Sequence, residues 1–232
     1  MSKRLGWTFA ILATIAFSAN APLTRATILV GMRPLTLLVA RFSLGSVLNT
    51  AALTAVHNRP LAPGKKLDRF GLLVGLASGF INGLTLAAIF SALETVSASI
   101  TSLMGLALIQ IFTLLLLALG GEKLTLQKGI RLVVGLFGLY LLVGLGGEAD
   151  PLGLLLILVG AALFAIHLVS VQWYLRPYST WTVTTLIVVA GTLPVIGLWL
   201  FGGAHTFVPL PIGLIAILLQ GFITTFIGRI LT

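Results

Sequence analysis

The chain has 232 residues, of which 58% are apolar and only 8% are charged, and its mean hydropathy is +1.15. A soluble domain usually carries about 25% charged residues, so this composition excludes a cytosolic enzyme, a nucleic-acid-binding protein and a disordered chain. The net charge of +9 comes from basic residues in short turns between apolar runs, not from one basic face. Because there is no cysteine, disulfides and thiolate metal sites are excluded as well. The composition therefore predicts a polytopic membrane protein.

The apolar runs predict eight transmembrane helices. A helix needs about 20 apolar residues to cross the bilayer core, and these runs do not alternate as the strands of a membrane barrel would. The first run resembles a signal peptide with a cleavage signal at 19–21, but Pro22 follows directly, so we expect an uncleaved helix. The predicted spans are 7–30, 33–56, 70–92, 96–119, 128–146, 152–175, 180–202 and 211–232.

The basic residues predict the orientation of these spans. With the N-terminus inside, most of the lysines and arginines fall in the inner turns, as the positive-inside rule requires. Three of the five acids, Glu94, Glu148 and Asp150, then fall outside. We expect a multi-pass protein of the plasma membrane, a bacterial inner membrane, with a cytoplasmic N-terminus.

Helices 3 and 8 are similar in sequence, which predicts an internal repeat. Helices 1 and 6 match more faintly, and their alignment sets Asn20 opposite His167. The repeat unit is five helices, and an odd number inverts the second copy, as in many secondary transporters. The predicted units are 1–147 and a truncated 148–232, which lacks counterparts of helices 4 and 5. The best-matched pairs are Gly71/Gly213, Gly79/Gly221, Phe80/Phe222 and Ile81/Ile223.

Several short motifs, in order along the chain, resemble a known family. They are a proline and an Arg-Phe pair in helix 2 (Pro34, Arg41-Phe42), the segment Ala92–Ser99, the turn Gly121–Thr125, and the glycines Gly135 and Gly138. As a set they resemble EamA-type transporters of the drug/metabolite transporter superfamily. The resemblance implies ten helices in two inverted repeats, a central substrate cavity, and export or exchange of small metabolites. This chain departs from the family in having eight predicted helices, and Gln110 in place of a usual proline.

Polar residues near the centres of five spans are candidate substrate-binding residues, because polar groups are costly in a membrane and usually functional. The alternative for each is a hydrogen bond between packed helices. Neutral amides and one imidazole suit an uncharged or zwitterionic solute. No Asp or Glu lies at a span centre, and His167 is the one candidate there for a proton carrier near neutral pH. The candidates are Asn20, Asn82, Gln110, His167 and Gln220, with the hydroxyls of Ser78 and Thr101.

A second group of residues is predicted to act in packing or gating. Four glycines spaced by four in helix 3 predict a close helix contact. Arg41 lies about 12 Å deeper than Arg33; it is either functional or structural, and Glu94 is a candidate partner. Glu122 lies in an inner turn, and Pro194 predicts a kink in helix 7. The group comprises Arg41, Glu122, Gly71, Gly75, Gly79, Gly83 and Pro194.

These patterns predict an all-α polytopic membrane protein with an inverted five-helix repeat. We expect a secondary transporter or exporter of small metabolites or amino-acid-like solutes, working by alternating access through a central polar cavity. The alternative is a truncated transporter that does not transport, or a membrane scaffold. No protease motif or pair of intramembrane acids occurs, so we expect no enzyme, catalytic residue, metal or cofactor. The expected partners are a small-molecule substrate and the lipid bilayer, with a second copy of the chain as a further candidate, but not nucleic acid.

Overall fold

A computed structural model describes residues 20–29, 31–56, 65–122, 125–144, 150–202 and 211–222, with the single positions 11 and 14. The regular structure of this part of the chain is helical. A π-helical turn, Val171–Leu175, continues α6 toward α7. The helices are α1 (Asn20–Leu29), α2 (Pro34–Val56), α3 (Arg69–Ala92), α4 (Ala98–Leu119), α5 (Leu126–Gly144), α6 (Pro151–Ser170), α7 (Thr180–Phe201) and α8 (Pro211–Leu219).

Five helical segments of the described chain are long and apolar enough to cross a membrane, and a shorter apolar helix covers Gly213–Phe222. Large apolar side chains lie on their outer surfaces, including Leu119 at 85% exposure and Phe201 at 92%. Such a surface suits hydrocarbon rather than water. The predicted class, a helical membrane protein, is confirmed. The five segments are Pro34–Ala55, Arg69–Ala92, Ala98–Leu119, Pro151–Leu175 and Thr180–Phe201.

Local chemistry sets where three of the helices begin. The carboxylate of Asp68 accepts a hydrogen bond from the Gly71 amide at 2.8 Å and so caps α3. Asp150 caps α6 in the same way, and Ser97 caps α4. The Ser97 cap explains why α4 begins at Ala98, two residues later than the predicted start at 96.

Helix α3 lies at the centre of the bundle, where it packs mainly against α6 and α7. Around it, α2 packs on α7, α4 packs on α6, and α8 packs on α1 and α2. The α3 glycines 75, 79 and 83 face α7, and Gly71 faces Tyr178, two residues before α7. A Cβ atom at Gly79 would lie 2.7 Å from the carbonyl oxygen of Ile187, so side chains larger than hydrogen would separate the two helices.

The helix connections gather at two ends of the bundle. At one, which we call the Asp68 end, the Lys65 amide donates to the Pro177 carbonyl at 2.9 Å, and the Trp173 ring packs against Gly120. At the opposite end, Arg25 Nη1 donates to the Leu93 carbonyl at 2.7 Å. Successive helices therefore run up and down the bundle, which brings distant turns of the chain together.

Candidate functional site

A cavity of about 470 Å³ lies between α6 and α7. Its volume falls in the range of roughly 300–1,000 Å³ that is usual for small-molecule sites. One wall comes from α6 and its π-helical turn, and the other comes from the start of α7. The polar lining residues are His167, Gln172, Arg176, Tyr178, Thr180 and Thr184, and the apolar ones are Leu168, Val171, Leu175, Val183 and Ile187.

The deep wall of this cavity carries a hydrogen-bonded Ser78–His167 pair. The Ser78 hydroxyl lies 2.7 Å from His167 Nδ1, and the same nitrogen lies 3.1 Å from the Ser78 carbonyl oxygen. Both side chains are buried, and the Phe164 ring lies 5.5 Å from the imidazole. The two bonds to α3 fix the orientation of an imidazole that lines the cavity. Two of the predicted binding residues are thus in direct contact.

Asn82 lies one helical turn beyond Ser78 on α3 and is fully buried. Among the residues that the structure describes, neither its amide nitrogen nor its amide oxygen has a hydrogen-bond partner. The hydroxyls of Thr85 and Thr101 are also buried without a partner in this part of the chain. A buried polar group left unsatisfied costs about 1–3 kcal/mol. An unsatisfied amide at this place therefore points to a bound solute or water.

A second buried polar cluster joins α1, α2 and α8. Arg41 Nη1 donates to Gln220 Oε1 at 3.2 Å, and Gln220 Nε2 donates to the Thr24 hydroxyl at 3.2 Å. The Arg41 guanidinium lies 5.0 Å from the centre of the Phe90 ring, a distance suited to a cation–π contact. Arg41 bonds to Gln220, while Glu94 is exposed at the end of α3. Thr24 was not predicted, although it lies one turn after Asn20 and so on the same side of α1.

The other predicted residues are dispersed. Gln110 is exposed on α4, on the same face as the exposed Leu103 and Leu106. Asn20 begins α1, but its side chain lies outside the described part of the chain. The structure therefore groups Ser78 with His167 and Arg41 with Gln220, and it does not bring Gln110 to either group.

Glu122 and Pro194, which were predicted to act in packing or gating, each contact another helix. Glu122 Oε2 lies 3.4 Å from Lys128 Nζ in the turn between α4 and α5. Pro194 is buried inside α7, where it packs against Gly83 of α3. Pro194 thus lies in the same close contact that the α3 glycines form.

An ionic cluster adjoins the mouth of the cavity. Asp68 Oδ2 lies 2.7 Å from Lys65 Nζ, and Asp68 Oδ1 accepts a 2.7 Å hydrogen bond from the Tyr178 hydroxyl. The bond from Lys65, then those from the Gly71 amide and from Tyr178, hold the pKa of Asp68 well below its usual range. The carboxylate in turn raises the pKa of Lys65 and of Tyr178. This cluster was not predicted; its only sequence signal is an acid placed as the cap of α3.

A bundle of membrane-length helices with buried polar groups and a cavity between two of its helices is typical of a membrane transporter. The model of the EamA-like transporter family matches residues 4–144, which is more than half of the chain. The chain belongs to that family, and the predicted resemblance is confirmed.

One solved structure, described only as "Crystal structure of protein", has the same fold. It is 20% identical with a TM-score of 0.63, and the match covers 97% of this chain and 77% of the other. At this identity the likeness concerns the fold alone. A comparison with curated protein sequences finds no match.

Proposed function

We propose that this chain is a secondary transporter that moves small metabolites through its interior by alternating access. The observation that best supports this function is the Asn82 amide, which is fully buried without a hydrogen-bond partner in the described residues. This amide lies one helical turn from the Ser78–His167 pair. His167 in turn lines a cavity large enough for a metabolite. Membership of the EamA-like transporter family supports the same activity.

We further propose that 1–147 and 148–232 are inverted repeats. The helix contacts support this pairing, because α3 packs against α6 and α7 while α8 packs against α1 and α2. The hydrogen bonds show the same pairing of helices. Ser78 of α3 bonds to α6, and Gln220, directly after α8, bonds to α1. Ser78 and Gln220 occupy the same position in the alignment of helices 3 and 8.

Alternating access requires contacts between the two units that can open. At the Asp68 end, the bond from Tyr178 to Asp68 and the bond from the Lys65 amide to Pro177 connect α7 to the start of α3. The glycine-lined contact between α3 and α7 allows the two helices to rock at close distance.

We place the protein in a bacterial inner membrane with its N-terminus in the cytoplasm, as a single copy or a homodimer.

The experiment is counterflow into proteoliposomes that contain the full chain. Vesicles loaded with an unlabelled solute should accumulate the labelled solute, tested first with amino acids and small organic acids. Asn82→Leu should lower this uptake about tenfold, the effect of losing one or two hydrogen bonds to the solute. The same variant should not lower the thermal midpoint in detergent, because the amide makes no hydrogen bond in the described structure.

The matched control is Gln110→Leu, which changes an amide on the exposed face of α4. This variant should retain both uptake and stability. Absence of counterflow by the wild-type protein with every solute would contradict transport and favour the scaffold alternative. Equal uptake by the wild type and Asn82→Leu would remove Asn82 from the solute path.

A further inference from the structure

We infer that the cavity between α6 and α7 takes a small organic anion with an apolar body, whose carboxylate binds Arg176. The inference rests on the proposed transport function and names the substrate class. It departs from the uncharged or zwitterionic solute that the amides of the sequence suggest. Three observations carry it: the charge of the lining, the pairing of the nearby acids, and the apolar walls.

The lining of the cavity is positively charged or neutral. Among the described residues, the lining contains Arg176 and His167 but no Asp or Glu. The two acids at this end of the described chain each have a lysine partner, since Asp68 pairs with Lys65 at 2.7 Å and Glu122 pairs with Lys128 at 3.4 Å. Each acid thus has a lysine as its ion-pair partner, and no ion pair joins either acid to Arg176 in the described part of the chain.

Arg176 is exposed and has no hydrogen-bond or ion-pair partner among the described residues. It also lines a neighbouring open cavity, together with Glu122 and Trp173, so its guanidinium lies where two openings meet. A guanidinium offers a planar pair of donors that matches a carboxylate. A cation in a low-dielectric cleft also attracts anions to that cleft.

The walls between the mouth and the deep end are apolar. The apolar lining side chains are Leu168, Val171, Leu175, Val183 and Ile187, and all of them except Leu168 belong to one packed apolar cluster. Arg176 and His167 are nine residues apart, which corresponds to about 13 Å along a helix. The cavity therefore combines a cationic mouth, an apolar middle and a polar deep end.

This arrangement discriminates against an amine. The ammonium of an amino acid or an amine would enter a lining that offers no carboxylate, and a charge removed from water without a partner is strongly disfavoured. A carboxylic acid without an amino group meets no such penalty. The substrate class is therefore an organic monocarboxylate with an aromatic or branched apolar body.

The test measures binding of four probes of similar shape to the purified full chain in nanodiscs. The probes are phenylacetate, 2-phenylacetamide, phenylalanine and phenethylamine, titrated calorimetrically. Phenylacetate should bind at least about tenfold more tightly than its neutral amide, the effect of one charge-assisted contact. Arg176→Gln should abolish this preference by weakening phenylacetate, and Arg176→Lys should restore part of it.

The control variant is Arg69→Gln, which removes an exposed cation at the same end that does not line the cavity. It should bind all four probes as the wild type does. Binding of phenylalanine or phenethylamine as tight as that of phenylacetate would overturn the inference. So would an unchanged anion preference in Arg176→Gln, or the absence of binding by all four probes.

Counterflow of labelled phenylacetate separates this inference from the proposed function. Binding that depends on Arg176 without any counterflow would support the anion site and contradict transport. Counterflow of amino acids that Arg176→Gln leaves unchanged would support transport and overturn the anion site.

Discussion

In the described part of the bundle, the Arg41 cluster and the Ser78 cluster of buried polar residues differ in what their groups contact. The Arg41 cluster (Arg41, Gln220 and Thr24) is a chain of hydrogen bonds, with the guanidinium beside an aromatic ring. The Ser78 cluster (Ser78, His167 and Asn82) meets a cavity at His167, which lines the cavity and bonds to Ser78. Its third member has neither amide atom bonded within the described structure.

The difference between the clusters separates two uses of polar groups in a membrane protein. A charged group that donates to a side chain of another helix and contacts an aromatic ring holds those helices together. A buried amide left unsatisfied, like that of Asn82, destabilises the fold and is retained where it binds something. We therefore expect the Arg41 cluster to stabilise the bundle and the Ser78 cluster to bind the solute.

Arg41→Met should have the largest effect on stability. The variant leaves the Gln220 oxygen without its donor and removes the contact of the guanidinium with the Phe90 ring. Together these changes should lower the free energy of unfolding by about 2–4 kcal/mol. The measurement is reversible unfolding in mixed micelles, with Arg33→Met, an exposed arginine, as the control. If Arg41→Met retained wild-type stability but lost transport, the division between the clusters would be wrong.

Glycine substitutions test the helix contacts beside each cluster, and we expect unequal effects. A Cβ atom at Gly83 would meet the backbone of Gly191, which cannot move without separating α3 from α7. A Cβ atom at Gly221 would meet the end of the Leu44 side chain, which can adopt another rotamer.

Gly83→Ala should therefore cost about 1–3 kcal/mol of stability, whereas Gly221→Ala should cost less. Gly83→Ala should also weaken solute binding, because Asn82 precedes it on α3. Unfolding and solute titration of both variants provide the check. Equal losses would mean that the α3–α7 contact is no more closely packed than the contact between α8 and α2.

The sequence predicts the five long helices of the described chain because membrane spans are long apolar runs. It cannot tell which side of such a helix faces the interior. Gln110 and Gln220 are the same residue type near the centres of two predicted spans, yet one is exposed and the other is fully buried. In a soluble helix, polar residues mark the outer face. Around α4, however, both faces are apolar, so the pattern carries no such signal.

The residues at the cavity mouth were missed for another reason. Arg176 and Lys65 lie at the ends of predicted spans. The positive-inside rule already accounts for basic residues there, so the pattern offers no reason to assign them a further role. The partner of Asp68, Tyr178, is 110 residues away along the chain. Local sequence patterns give no information on a contact at that separation. The contact forms because the up-and-down arrangement of helices places the turns before α3 and α7 at the same end of the bundle.

The smallest predicted effect is a pH dependence that separates the Asp68 cluster from the Arg41 cluster. The pKa of Asp68 in the folded state lies well below its ordinary value of 3.8, so the unfolded chain binds the proton first as the pH falls. The stability that Asp68 contributes is complete above about pH 5 and decreases as the pH falls below about 4. We expect Asp68→Asn to lower the thermal midpoint slightly. The Asp68 side chain is 41% exposed, so water screens its ion pair with Lys65.

That loss should be constant between about pH 8 and 5 and should diminish at more acid pH. Arginine, glutamine and threonine do not titrate in this range, so the loss caused by Arg41→Met should stay the same throughout. Thermal unfolding of both variants and the wild type from about pH 8 to 3.5 makes the comparison, with Glu94→Gln as an exposed acid control. A loss for Asp68→Asn that persisted unchanged below about pH 4 would show that the carboxylate charge is not what connects the two turns.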